Sequence, residues 1–164
     1  MDPSLRGTGY AILEREEVGR QCRALTWGVV RNPPSLSQSG CLVAIHERMA
    51  GLIEEYQPEA AAFESVIYVQ SHHTAILLGC ARGAALLAAA QRGLMVCEYP
   101  PKRVKQAVVG RGGAQKEQVA FMVRALLGLR ETPQADAADA LAVGLAHFQA
   151  VDAERAGLGA LRGI

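Results

Sequence analysis

The spacing of apolar residues along the chain predicts alternating strands and helices. Apolar runs at 10–13 and 24–30 contain the aromatic and β-branched residues typical of strands. We expect them to pair as a hairpin, with 14–23 as a long charged connection. Two shorter apolar runs, 60–66 and 94–99, predict buried strands.

Four further segments carry helical periodicity. The first is 37–56, where apolar side chains recur every three or four positions. The other three predicted helices are 74–91, the stretch after 116, and the stretch from Asp136 to about 150. The resulting order of strands and helices predicts a mixed α/β layer fold. We expect one domain over 1–150 and a flexible C-terminal tail over 151–164.

The helix at 74–91 is rich in small residues, and Gly79 and Gly83 lie four positions apart. This spacing allows another backbone to approach closely. The ordinary interpretation is tight packing on the sheet, and the alternative is a subunit interface.

The amino-acid composition narrows the class of protein. The chain has 164 residues, 50% of them hydrophobic and 20% charged, with a net charge of +1. One globular domain is expected, and any nucleic-acid surface must be local. The four cysteines are widely spaced without a CxxC, so we expect reduced thiols in a cytoplasmic protein. No apolar run reaches about 18 residues unbroken, so no membrane span is expected.

The first candidate functional residues are two aspartates in a run of alanines. Asp136 and Asp139 follow Pro133 in a segment of strong helix formers, and their spacing places them on one helix face. Two like charges at that distance repel each other unless a proton or a cation lies between them. The alternative is that the acids only interact with the helix dipole.

Two further acids could join this pair. Asp2 precedes a turn of Gly and Thr, and Glu64 ends a buried strand, where open α/β sheets bind ligands. Carboxylates without His or Cys partners favour Mg²⁺ or Mn²⁺. Two such ions support phosphodiester hydrolysis, and Lys105 or Lys116 could add positive charge near the phosphate.

The segment 102–116 carries five basic residues and no acid. Its glycines, at 110, 112 and 113, predict a flexible loop. A basic loop suits a phosphate backbone, although a solvated surface loop is an equal alternative. The basic residues are Lys102, Arg103, Lys105, Arg111 and Lys116.

Several segments together resemble the RuvC family of bacterial crossover-junction endodeoxyribonucleases over nearly the whole chain. They are Asp-Pro-Ser-Leu-Arg-Gly-Thr-Gly-Tyr at 2–10, Phe-Glu-Ser-Val at 63–66, Gly-Cys-Ala-Arg-Gly at 79–83, Tyr-Pro-Pro-Lys-Arg-Val-Lys-Gln-Ala-Val-Val-Gly at 99–110, and Pro-Gln-Ala-Asp-Ala-Ala-Asp-Ala-Leu-Ala at 133–142. The resemblance implies an RNase H-like mixed sheet flanked by helices. It also implies a homodimer that makes paired, symmetric nicks in four-way (Holliday) junctions, in concert with RuvA and RuvB.

The resemblance also implies roles for individual residues. Asp2, Glu64, Asp136 and Asp139 match the family's metal-binding acids, which implies two Mg²⁺ per subunit with Mn²⁺ as a substitute. Lys105 and Lys116 match its functional lysines.

Two departures from the family pattern matter. The family has a short apolar strand, central in the sheet, before its first Asp, whereas here Asp2 follows Met1 directly. A truncated central strand would impair metal binding, so the alternative function is a catalytically impaired junction-binding module. The family also often stacks an aromatic residue on DNA three positions after its Glu. Here that position is Ile67, and Tyr68 is the candidate for stacking.

Overall fold

The computed structural model describes residues 1–16, 21–66, 71–159 and 163–164. Strands and helices alternate along it much as the apolar pattern predicts. The elements are β1 (Gly7–Arg15), β2 (Cys22–Arg31), α1 (Gln38–Tyr56), β3 (Ala60–Glu64), α2 (His72–Gln91), β4 (Met95–Tyr99), α3 (Pro101–Val109), α4 (Lys116–Leu126) and α5 (Ala135–Arg155).

The predicted hairpin is present, but its strands are longer than expected. β1 and β2 pair antiparallel from Gly7 opposite Arg31 to Arg15 opposite Cys22. The prediction of a connection over 14–23 was therefore wrong at both ends. An ion pair between Arg23 and Glu14, 2.8 Å long, lies across the outer part of the ladder, so charged residues extend the strands there.

β3 and β4 form a separate parallel pair, as expected for short buried strands. Among the described residues, the segment Met1–Asp2 connects the two pairs. Asp2 exchanges main-chain hydrogen bonds with Gly9 of β1, and Met1 N donates to Ala62 O at 2.6 Å. This segment lies where the family resemblance leads us to expect a central strand, and it brings Asp2 next to the end of β3.

Helices cover both faces of this layer. On one face, α1 and α2 pack on Phe63 and Val96, and on the other, α3, α4 and α5 pack on Cys97 and Tyr99. Alternation along β1 contributes to both cores: Tyr10 and Ile12 face α1 and α2, whereas Ala11 and Leu13 face α5. The predicted α/β layer fold is confirmed.

The prediction of a basic loop over 102–116 was wrong in its first half. Residues 101–109 form α3, because Pro101 occupies the first turn and Val104 and Val108 bury one face. Gly110 ends the helix with φ of 81°, a conformation that glycine adopts without strain. Three of the basic side chains are therefore presented by a rigid element instead of a loop.

The described residues after 150 include the end of α5 and two residues beside β4. α5 continues to Arg155, past the position where we placed the end of the domain. Gly163 forms a bridge with Cys97, and Ile164 N donates to Val96 O at 3.0 Å, so these residues lie on the edge of β4. The division of the chain at residue 150 stays a prediction.

Within the described ranges, α2 is the helix long and apolar enough to cross a membrane by length and composition, and 22% of its most apolar window is buried. Such a helix is weak evidence for a membrane span. Its central Arg82 is bonded to Glu98 of β4, as expected for a helix that packs on the sheet.

Candidate metal centre

Four acidic residues from distant parts of the chain lie at one edge of the fold. Asp2 belongs to the bridging N-terminal segment, and Glu64 is the last residue of β3. Asp136 and Asp139 lie in the first turns of α5, which packs across both strand pairs. The structure therefore brings together the elements that carry these four acids, and their role in binding metal stays a prediction.

A close approach of backbone brings α5 to β1. A Cβ atom at Gly9 would lie 1.9 Å from the carbonyl oxygen of Asp136, and one at Gly7 would lie 3.0 Å from Asp136 Oδ2. Since a real side chain would collide at Gly9, glycine there is a requirement of the site. The contact fixes the start of α5 against the strand that pairs with Asp2.

The raised pKa values of Glu64 and Asp2 reflect repulsion between the acids as well as burial. Burial, followed by repulsion from Asp2 and then Asp139, raises the pKa of Glu64 to about 7. Burial, followed by repulsion from Asp139, also raises the pKa of Asp2, and Asp136 adds a smaller effect. The ionised forms of Glu64 and Asp2 are therefore disfavoured, and a bound cation would stabilise them.

Lys116 pairs with one acid of this cluster, Asp139. Its Nζ lies 3.0 Å from Asp139 Oδ2, and that hydrogen bond is the main cause of its raised pKa. The Lys116 side chain is 70% exposed, whereas that of Asp139 is 21% exposed. The ammonium group thus lies on the solvent side of Asp139.

The donor set fits hard divalent cations. In the described part of the chain, no group of three acidic, histidine or cysteine side chains is arranged as a ready metal cage. Mg²⁺ rarely requires such a cage, because it keeps several waters and binds one or two carboxylates together with substrate phosphate. The chemistry of Asp2, Glu64, Asp136 and Asp139, which offer only carboxylate oxygens, fits a hard divalent cation that keeps part of its water shell.

A cavity of about 360 Å³ opens beside the acids. Asp2 and Glu64 form part of its wall, together with Leu78 and Arg82 of α2 and Pro101 of α3. Sequence reasoning left the role of Arg82 undecided. The available signal was that Arg82 is the one Asp, Glu, Lys or Arg residue in the sequence from 72 to 91.

The predicted DNA-binding residues lie on α3, the following turn and the start of α4. Lys102, Arg103 and Arg111 are exposed, and Lys105 is partly exposed. Lys105 lies one helical turn after Pro101, which lines the cavity, while the direct contact with an acid belongs to Lys116. Tyr68 lies outside the described residues, so the stacking role stays a prediction.

A family model and curated relatives match this chain under the same description. The family model described as "Crossover junction endodeoxyribonuclease RuvC" matches residues 1–147. A curated relative of that name from Akkermansia muciniphila is 56% identical over 152 residues, which is 93% of this chain and 90% of the relative. One from Halorhodospira halophila is 48% identical over 147 residues, covering 90% and 86%.

Solved structures agree with the sequence matches. T. thermophilus RuvC in complex with Holliday junction substrate superposes with a TM-score of 0.87 at 34% identity, covering 99% of this chain and 96% of that one. The yeast mitochondrial Holliday junction resolvase Ydc2, at 12% identity and a TM-score of 0.60, shares the fold over 88% of this chain and 75% of its own. The expected RNase H-like fold is confirmed.

Proposed function

Because this chain belongs to the RuvC family of crossover junction endodeoxyribonucleases, we propose that its carboxylate cluster hydrolyses phosphodiester bonds in four-way DNA junctions. The observation that carries the proposal is the mutual electrostatic influence of Asp2, Glu64 and Asp139, with Lys116 bonded to the last of them. The alternative of a catalytically impaired module receives no support from the family comparison.

The chain depends on divalent metal as its family does, and the finer assignment is two Mg²⁺ per subunit, with Mn²⁺ as a substitute. Asp2, Glu64, Asp136 and Asp139 would hold the ions. When bound, such ions activate a water and stabilise the leaving oxygen. The residues themselves orient the phosphate: Lys116 supplies positive charge at the solvent side, and Lys105 lies on the neighbouring α3.

The basic face of α3 and the turn after it bind the junction. Lys102, Arg103 and Arg111 are exposed there, and the adjoining cavity leads to the acids. Contacts of this kind neutralise phosphates and position the DNA without reading its sequence. Tyr68, which follows Glu64 by four residues, would stack on an unpaired base at the junction.

A second copy of the chain is the proposed partner of α2. This helix exposes Ile76 and Leu87, which are 65% and 51% accessible. A side chain at Gly79 or Gly83 would meet nothing within 4 Å, so the helix has open space for a neighbouring backbone. An isologous dimer through α2 would give two sites related by a two-fold axis, as two symmetric cuts require.

The dimer proposal has a direct test in solution. We expect the wild-type protein to elute as a dimer in size-exclusion chromatography with light scattering, and Ile76→Asp to elute as a folded monomer. Phe121→Asp, which changes an equally exposed apolar residue on α4, should leave the dimer intact. A monomeric wild type, or a dimer that survives Ile76→Asp together with Leu87→Asp, would contradict this interface.

The family resemblance extends the proposal to location and partners. We propose that the protein acts in the cytoplasm on chromosomal junctions during recombination and repair, in concert with the RuvA and RuvB branch-migration proteins. Addition of RuvA and RuvB to a nicking reaction on a mobile junction should change the rate or position of cleavage. An identical cleavage pattern with and without them would contradict that partnership.

The test of the function itself uses a synthetic mobile four-way junction with labelled strands. With Mg²⁺, we expect paired nicks on two strands of like polarity, and the products should be ligatable duplexes. A chelator should abolish the nicks, and a linear duplex of the same sequence should be cut far more slowly. Cleavage that is independent of divalent metal, or equal on the linear duplex, would contradict the proposal.

A further inference from the structure

Arg82 lies at the middle of α2 and reaches the carboxyl ends of β3 and β4. Its side chain is 12% exposed, and its Nη1 donates to the carbonyl oxygen of Glu64 at 2.8 Å. Its Nη2 donates to the carboxylate of Glu98. The guanidinium carbon lies 5.0 Å from the ring centroid of Phe63, the residue before Glu64.

These contacts occupy the main chain of Glu64 where β3 ends. Glu64 N donates to Met1 O at 3.2 Å, and its carbonyl oxygen accepts from Arg82. The next residue is bonded on the opposite edge, where Ser65 N donates to Tyr99 O at 2.9 Å. The backbone that carries the Glu64 carboxylate is therefore fixed from both sides, and Arg82 supplies a side-chain contact to it.

We propose that Arg82 is a positioning residue that holds the Glu64 carboxylate in the orientation required to bind metal. This inference deepens the proposed function and rests on it. Arg82 acts through the Glu64 carbonyl and not on the carboxylate, and its own charge is balanced by Glu98. It thereby connects α2, which carries the proposed dimer face, to the metal centre.

The two bonds require the forked geometry of arginine. A guanidinium presents several donors in one plane, so it reaches a carbonyl and a carboxylate at once while it stacks on a ring. A lysine ammonium would be drawn to the Glu98 carboxylate and would leave the Glu64 carbonyl unbonded. Arg82→Lys therefore keeps the charge and removes the positioning contact.

The experiment measures Mg²⁺ binding apart from catalysis. The variants are Arg82→Ala, Arg82→Lys and Glu98→Gln, and the matched control is Arg92→Ala. Arg92 ends the same helix and pairs with the exposed Glu54 at 3.4 Å, away from the acids. For each protein, the rise in thermal unfolding midpoint with Mg²⁺ gives a binding midpoint, and junction affinity is measured in chelator.

The expected result is a Mg²⁺ midpoint raised about tenfold or more in Arg82→Ala and Arg82→Lys, the usual scale for loss of a contact behind a metal ligand. Glu98→Gln should show a smaller rise, and Arg92→Ala none. Junction affinity in chelator should match that of the wild type throughout. If Arg82→Ala fails to fold, Arg82→Lys decides the question.

A wild-type Mg²⁺ midpoint in folded Arg82→Lys would overturn the proposal. So would loss of junction affinity in chelator with an unchanged midpoint, because that result would make Arg82 a DNA contact. The proposed function is judged separately, by Mg²⁺-dependent nicking of the wild-type protein.

Discussion

The ammonium nitrogen of Lys116 lies 3.0 Å from Oδ2 of Asp139 and so joins the first residue of α4 to the second turn of α5. An ion pair with one partner this exposed contributes little to stability. The ion pair instead holds a positive charge beside acids that repel one another. The pair thus supports a role for Lys116 in the reaction itself.

Replacement of Lys116 by Gln should lower the rate of junction nicking at saturating DNA about a hundredfold, because a preorganised charge near the reacting phosphate is lost. The thermal unfolding midpoint should change little. Single-turnover cleavage and thermal melting measure the two effects. Arg124→Gln, which removes a positive charge from the other end of α4, is the control and should cleave at the wild-type rate.

Gly9 should tolerate no side chain. A Cβ atom there would lie 1.9 Å from the Asp136 carbonyl oxygen, so Gly9→Ala must displace α5 or β1. We expect a loss of about 1–3 kcal/mol in the free energy of unfolding, together with weaker Mg²⁺ binding. Chemical denaturation measures the first and titration the second.

The control for Gly9 is Gly51→Ala in α1, where a Cβ atom meets nothing within 4 Å. Alanine is favoured over glycine within a helix, so this variant should gain about 0.5–1 kcal/mol. Equal stability of the two alanine variants would contradict the close approach of α5 to β1.

The stability of the metal-free protein should depend on pH through Glu64. Its pKa is raised in the folded protein from the ordinary 4.5 to about 7, so the folded form binds the proton more tightly than the unfolded chain. The contribution of this group to stability is therefore complete below about pH 4.5 and is lost as pH rises through 7. Glu64→Gln lacks this titration.

The quantity to measure is the free energy of unfolding of the wild type minus that of Glu64→Gln, in chelator, between pH 4 and pH 8.5. We expect it to fall with rising pH and to level off above pH 8. Glu117→Gln, an exposed change on α4, is the matched control for removal of a carboxyl group. A difference that stays constant across the range would argue against the raised pKa.

The basic face of α3, together with the turn after it, should set the salt dependence of junction binding. Arg111→Gln and Lys102→Gln each remove one exposed positive charge, so each should reduce the slope of log affinity against log salt by about one. Binding should weaken while cleavage at saturating DNA is retained. Unchanged slopes in both variants would place the junction on another surface.

Much of this architecture could be predicted from the sequence because its signals are local. The apolar spacing in α1 and the acids of α5 needed no tertiary information. α3 was missed because Gly110, Gly112 and Gly113 suggested a loop, although Pro101, Val104 and Val108 already carried helical spacing. The basic character of the segment outweighed a short apolar periodicity.

The remaining features depend on contacts between distant residues. The collision that excludes a side chain at Gly9 involves Asp136, and no pattern near either residue reveals it. The role of Arg82 depends on the ends of two strands that meet only in the folded sheet. Asp2 and Glu64 could be grouped with the α5 pair beforehand because one precedes a turn and the other ends a predicted buried strand, and the family resemblance implies the same grouping.

The measurement that tests the central claim most directly is Mg²⁺-dependent nicking of a four-way junction by single carboxylate variants. Asp2→Asn, Glu64→Gln, Asp136→Asn and Asp139→Asn should each lose at least about a hundredfold in rate while they remain folded and bind the junction in chelator, and Glu117→Gln should cleave normally. A folded variant among the four that cleaves at the wild-type rate would contradict the claim that these acids form one metal centre.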